Sequence, residues 1–428
     1  MTIHRVNACG AALAAAAVAG AAAAQTFDVE RPRTIMVGTP AGGARQERND
    51  AARTGMARTA LPASGLRTEW RASLGTALDH APLVDSHGNI YAIGTRGEVV
   101  MLGPDGGERW RISTSANDPG PAALLSDDTL VFVDEAGAAI AARDGAVRWR
   151  TRFGRSETAH AAPLPLQDGG VVVATAHDVA VLDADGRARS RITLSEATIA
   201  PLLSALGKVV AVTTSGAVWT WTPGAPEATR VASFGSPVDG GAALSDDHTL
   251  VAVTAGGAHL TAVDLARGTA SVRAISPGGF WLGPPAMRGS TAFLMVLTPT
   301  TELAVAVNAS GQEIARALVH AHAAAAGTDG GPTALVVDPH TAPLVDMAGT
   351  LAFATTDGDV GTVSNLAGAA PIPGAVELLS DACAPTISSL PHTEPRVVGL
   401  APLSANEFVA ACHSGTVLAV RGAAEPTR

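Results

Sequence analysis

From residue 70 onward the sequence repeats a short pattern about every 40 residues, and this repeat limits the chain to very few folds. One unit reads Ile90-Tyr91-Ala92-Ile93-Gly94, then Gly97-Glu98-Val99-Val100-Met101-Leu102, then Asp105-Gly106 and Trp110. The next reads Leu130-Val131-Phe132-Val133, then Gly137 with Ala138 to Ala142, then Asp144-Gly145 and Trp149. Further copies begin near Val171, Val209 and Leu250, and three fainter ones near Ala292, Leu351 and Phe408. The position before the third apolar run falls at Gly97, Gly137, His177, Gly216, Gly257, Glu302, Gly358 and Gly415. These are spaced 40, 40, 39, 41, 45, 56 and 57 residues apart. Short β-branched runs separated by Gly, Asp and Asn, four to a unit of this length, describe a propeller blade. Helical repeats of similar length would need paired amphipathic helices. The best helical stretch, around Ala317 to Ala326, is Ala-rich and runs into Gly327.

The physics of each unit agrees with that reading. A strand flanked by sheet neighbours and by two adjacent blades meets apolar surface on both faces, so it reads as nearly continuous Val, Ile, Leu and Ala. Gly at the turns supplies the positive φ of a tight hairpin, and Asp-Gly does the same for the next one. Trp70, Trp110 and Trp149 fall on or at the start of outermost strands, where a large ring covers the seam between blades. The last unit stops after its third strand, at Leu418-Ala419-Val420, and the first is preceded by a surplus strand, Trp70-Arg71-Ala72-Ser73-Leu74. The surplus strand fills the vacancy and removes two open sheet edges. The predicted fold is all-β: an eight-bladed propeller of four-stranded blades, closed by an N-terminal strand completing the last blade, with seven blades as the alternative count.

The N-terminus has a different character. A positively charged start, an Ala-rich apolar run from about Ala11 to Ala24, and small residues at Ala22 and Ala24 predict a signal peptide over residues 1–24. A membrane anchor is the rival reading, but the run is short and Ala-rich for a span of roughly 20 strongly apolar residues. Cys9 lies before most of the run, which argues against a lipid anchor there. Residues 25–66 mix Pro, Gly, Arg and Thr without apolar period and predict a poorly ordered lead-in, with the propeller over 67–424.

Removing residues 1–24 takes away Arg5 and no acid, leaving 28 basic against 39 acidic side chains and a formal charge of −11. An acidic chain without a basic run lacks the clustered cations that nucleic acid requires. No membrane span is expected beyond the N-terminal run. Two cysteines remain, Cys383 and Cys412; in an oxidising compartment such a pair predicts a disulfide, with two buried free thiols as the alternative.

The unit Gly-x-Leu/Val-x-Ala-x-Asp-x-x-x-Gly-x-x-x-Trp, clearest from Gly257 to Gly268 and from Gly97 to Trp110, resembles the repeat of propellers related to pyrroloquinoline-quinone-dependent (PQQ-like) dehydrogenases. The run Arg48-Asn49-Asp50-Ala51-Ala52-Arg53-Thr54-Gly55 resembles a lead-in found before such propellers. The resemblance covers residues 45–422, strongly as far as Gly268. It implies a group that includes quinone dehydrogenases, a propeller lipoprotein assisting outer-membrane barrel assembly, and other exported proteins. An enzyme of this kind would hold a quinone on the ring axis, a Ca²⁺ and a catalytic Asp. The adjacent Cys-Cys pair of those enzymes is absent, and the blades are lean.

Other candidate groups have simpler structural readings. Trp219, Trp221 and Trp281 could stack on a flat cofactor, although packing between blades also explains them. His320 and His322, with His340 nearby, have no carboxylate or Cys close in sequence to complete a metal site. Asp127-Asp128 and Asp246-Asp247 occupy equivalent places after Ser126 and Ser245, as turn residues do. Arg148, Arg150 and Arg152 share one strand face; they could meet an anionic partner, but charge on an outer strand also discourages edge aggregation. No nucleophile–base arrangement is legible. The expectation is a non-catalytic binding or scaffolding module, periplasmic or secreted, with no cofactor or metal and with an envelope protein or extracellular ligand as partner. A quinone-dependent dehydrogenase is the alternative.

Overall fold

The structure is a computed structural model. It describes residues 44–423 except 47, 158–160, 200–201, 206, 246–247, 277, 322–340, 368–375 and 384–395. The predicted signal peptide and residues 25–43 therefore lie outside the described residues. Within them the chain forms eight antiparallel four-stranded sheets arranged as the blades of a ring. Blades 1 to 7 span residues 83–113, 123–152, 164–193, 203–233, 238–275, 280–321 and 344–379. Blade 8 combines Val397–Ser404, Glu407–Cys412 and Thr416–Arg421 with the N-terminal strand Arg67–Ser73 as its outermost member.

The closure is the one expected from the sequence. Arg67 lies opposite Arg421, Arg71 opposite Leu418 and Ser73 opposite Thr416, so the two ends of the propeller are hydrogen-bonded into one sheet. A bulge between Thr68 and Trp70 resets the register without breaking the pairing.

The core lies in the seams between blades. In the second strand of blade 1, Ile90 and Ala92 pack with Val409, Ala411, Val417 and Ala419 of blade 8. The intervening Tyr91 and Ile93 pack with Leu130, Phe132 and Ile140 of blade 2. A strand side-chain period of two thus sends alternate residues into opposite seams, and both must be apolar. The same division gives one buried cluster at every seam of the ring.

Two expectations need correction. Glu302 does not precede the third strand of its blade but lies in it, within Thr301–Val307. Residues 317–321, the start of the stretch set aside as a helix, end the strand Glu313–Ala321, in keeping with the all-β reading. The larger correction concerns the lead-in, whose described residues, 44–46 and 48–66, are packed into the ring. Ala44, Ala51, Ala57 and Leu61 are buried among blade residues, and Arg53 is fully buried. Its composition suggested disorder because its contacts are polar and non-local, which an apolar-period criterion does not detect.

Candidate functional site

Residues 44–46 and 48–61 run around the inside of the ring; their backbone contacts follow blade order, and with their side chains they touch every blade. The Val84 amide in blade 1 donates to Ala44 O at 2.9 Å, and the Leu124 amide in blade 2 donates to Arg45 O at 2.7 Å. The Leu244 amide in blade 5 donates to Ala52 O, and that of Met287 in blade 6 to Thr54 O. Gly55 and Ala57 exchange hydrogen bonds with Val345 in blade 7, and the Asn406 amide in blade 8 donates to Ala60 O. In blades 1, 2, 5, 6 and 7 the innermost strand thus gains an outside partner for an amide at or next to its end. The segment can turn this tightly because Arg48, Asn49, Arg53 and Gly55 all have positive φ, between 54° and 73°. At Gly55 a side chain is also excluded, since a Cβ would sit 2.8 Å from Pro343 O.

Three arginines of this belt fix it to blade carbonyls. Arg53 spans blades 3 and 4: Nη2 donates to Ala162 O at 3.3 Å and Pro163 O at 3.1 Å, and Nε to Leu202 O at 3.3 Å. Arg48 donates from Nη1 to Ala242 O at 3.1 Å in blade 5 and from Nη2 to Pro285 O in blade 6. Arg45 donates to Leu125 O and pairs with Asp128 at 2.6 Å, both in blade 2. Burial pushes the Asp50 carboxyl above the ordinary carboxylate value, against the pull of its Thr54 hydrogen bonds and of Arg53 and Arg48. Sequence reasoning missed these arginines as functional. The sequence carries little signal for them, because their partners are backbone carbonyls.

This geometry tests the cofactor that the resemblance implies. Ca²⁺ requires six to eight oxygen ligands, and a quinone requires open space beside them. At the inner wall the carbonyl oxygens already receive guanidinium donors. Asp50, the carboxylate among the described belt residues, accepts from Thr54 N at 3.0 Å and Thr54 Oγ1 at 2.5 Å. Three buried cations and committed acceptors do not fit a quinone with Ca²⁺ at that place.

The buried carboxylates among the described residues hold turns and seams. Asp85 accepts from the amides of His87 and Asn89, from Asn89 Nδ2 and from the Tyr91 hydroxyl, at 2.8–3.2 Å. Asp134 accepts from the Ala138 amide and Arg150, Asp346 from the amides of Thr350 and Leu61, and Glu407 from Ser404 and Arg421. Glu302 accepts from the amide and hydroxyl of Thr356 across the seam to blade 7. At Asp178 burial works to raise the carboxyl's pKa. Hydrogen bonds from Thr193, Arg191 and the Arg155 amide outweigh it and hold the group below the ordinary value. Asp85, His87 and Asp128 bring potential metal-ligand atoms within 4.8 Å of one another. Asp85 already has four donors and Asp128 pairs with Arg45, so this group is a turn cluster.

The residues singled out in the sequence are scattered over the ring. Trp70 of blade 8 donates from Nε1 to Pro104 O of blade 1 at 2.9 Å and lies against Gly106; Trp149 of blade 2 does the same to Ala184 O and Gly186 of blade 3. Trp110 of blade 1 lies against Gly145 of blade 2 and meets Tyr91 edge-on, with ring centroids 6.0 Å apart. Cys383 and Cys412 are joined as a disulfide between blades 7 and 8, with Cα atoms 5.4 Å apart. Trp219 and Trp221 pack in the seam of blades 3 and 4, and Trp281 in that of blades 5 and 6. His320 approaches Asp357 at 3.6 Å. His322, His340, Asp246 and Asp247 lie outside the described residues, as do the longer connections after blade 6. Asp127 binds the Thr129 amide and Arg143, so it serves its own turn. Arg150 reaches Asp134 and Thr114 O of blade 1, so of the arginine row it serves the seam.

Comparison with known proteins agrees with this architecture. Residues 59–271 match a family model described as outer membrane protein assembly factor BamB. No curated protein matches the sequence. Among solved structures, BamB from Moraxella catarrhalis is 19% identical with a TM-score of 0.55, covering 85% of this chain and 99% of that one. Quinohemoprotein alcohol dehydrogenase from Comamonas testosteroni is 10% identical with a TM-score of 0.65, covering 92% and 83%. The computationally designed Ika8 protein is 15% identical with a TM-score of 0.59, covering 82% and 97%. At these identities the likeness is one of fold. A closed ring of eight four-stranded blades, together with the matched repeat, makes this chain a PQQ-like β-propeller repeat protein.

Proposed function

We propose that the chain is an exported, non-catalytic propeller that acts as a binding or scaffolding module in the cell envelope. Its partner is another envelope protein or an extracellular ligand. One observation carries the reading: each buried carboxylate in the described ring is engaged in holding a turn or a seam, so none stands ready as a general acid, base or cation ligand. The match of residues 59–271 to a model named for an outer-membrane assembly factor supports the envelope setting. Among the described residues no helix is long and apolar enough to cross a membrane. The acidic charge of the chain favours a protein or neutral ligand over nucleic acid.

The test is reciprocal co-purification after cross-linking in intact cells, with each identified partner then used as bait. Recovery of the same envelope partner in both directions supports the proposal. Addition of pyrroloquinoline quinone and Ca²⁺ separates it from a quinone-dependent dehydrogenase. A saturable change in the quinone absorbance, with oxidation of an alcohol, overturns the non-catalytic reading.

A further inference from the structure

We propose that the inner wall of the ring is a binding site for an extended, arginine-bearing peptide segment, and that residues 44–46 and 48–61 fill it in cis. The site offers two kinds of contact. The amides of Val84, Leu124, Leu244, Met287 and Val345 point at peptide carbonyls of the segment, as an exposed sheet edge does when it accepts an added strand. Between them, carbonyl oxygens of blades 2 to 6 face the three guanidiniums.

The chemistry selects the ligand. Carbonyl acceptors from two different blades converge on Arg53, and from two others on Arg48, and a planar fork with five N–H donors can serve such a set together, whereas an ammonium is a compact point charge. The described carbonyl acceptors of Arg53 and Arg48 are neutral dipoles, so an anionic ligand finds no donor among them and a cation finds several. Small residues are required along the segment, because Ala44, Ala51 and Ala57, before, between and after the three arginines, enter the seams where blade side chains converge. A segment that joins five blades through side chains and the others through its backbone also locks them at one radius. This inference stands whether or not the envelope partner proposed above exists.

The test uses the full chain with Arg53→Ala and reads thermal unfolding. The midpoint is expected to fall by several degrees, and ethylguanidinium at millimolar concentration is expected to recover at least half of the loss. Ethylammonium recovers little, and the wild-type midpoint is unmoved by either. An unchanged midpoint, or equal recovery by both cations, overturns the proposal. Should Arg53→Ala not fold, hydrogen exchange on the unaltered chain decides. The amides of Val84, Leu124, Leu244, Met287 and Val345 are expected to exchange as slowly as amides within the blades. Exchange within seconds at these amides, with the blades protected, overturns it.

Discussion

The indole of Trp149 lies flat against Gly186 of the next blade, and a Cβ placed on that glycine would come within 2.5 Å of the ring. Gly186 also has φ +79°, which side-chain-bearing residues rarely adopt. Trp149→Ala is expected to cost about 2–3 kcal/mol, below the range for a fully buried Trp because the side chain is half-exposed. Gly186→Ala should cost more than about 1 kcal/mol from strain and clash together. In the Trp149→Ala background only the strain remains, so the two losses should fall short of additivity by about 1 kcal/mol in urea unfolding. Full additivity would show that the ring does not rest on the glycine.

The Cys383–Cys412 bond links blades 7 and 8 across a sequence separation of 29 residues. Cys412→Ser should lower stability by about 2–4 kcal/mol, and reductant should lower the wild type by a similar amount while leaving the variant unchanged. Thiol titration of the denatured, unreduced protein checks the bond directly.

The sequence made the blades legible because their physics is local. A strand that feeds two seams must be apolar at every position, as Leu130 to Val133 are, and the hairpin at Gly137 needs a positive φ. Closure was legible for a related reason, since counting strands leaves Arg67–Ser73 without a blade of its own. The belt was not legible, because its partners are backbone atoms. Arg53 binds carbonyls near residues 162 and 202, and any side chain can stand at those positions. The same holds for Asp85: its role is fixed by Asn89 and Tyr91 nearby, yet its burial depends on the ring.

Asp50 sets one pH dependence. Burial raises its folded-state pKa above the ordinary 3.8, so its ionisation disfavours the folded state. The associated stability is full below about pH 4 and is lost as pH rises through the raised pKa. Asp50→Asn cannot ionise. The variant should therefore gain stability relative to wild type between pH 4 and pH 7, measured by urea unfolding at both. A constant difference across that range would rule out a raised pKa.

Asp178 has the opposite sign. Burial alone would raise its pKa, but Thr193 at 2.7 Å, Arg191 at 2.9 Å and the Arg155 amide at 3.1 Å hold it below 3.8. Its contribution is present above about pH 4 and disappears as pH falls through the depressed value. Asp178→Asn should cost about 1–3 kcal/mol at pH 7 and nothing once wild-type Asp178 is protonated. Acid unfolding curves of the two proteins should converge at the low end.

The N-terminal strand provides the last test. A chain beginning at residue 77 lacks both Arg67–Ser73 and the belt, leaving blade 8 with an open edge. It should unfold at markedly lower denaturant and aggregate at concentrations where the full chain stays monodisperse. An unchanged midpoint would refute the role of the closing strand.

Because Arg67 finds its partner in Arg421, the first strand of the described ring must wait for its last. Pairings so remote in sequence form slowly and leave unpaired edges exposed in the interval. A chain that emerges amino end first, from ribosome or translocation pore, would carry that edge through nearly its entire birth. The need to shield that edge would end abruptly when the strand Thr416–Arg421 arrives.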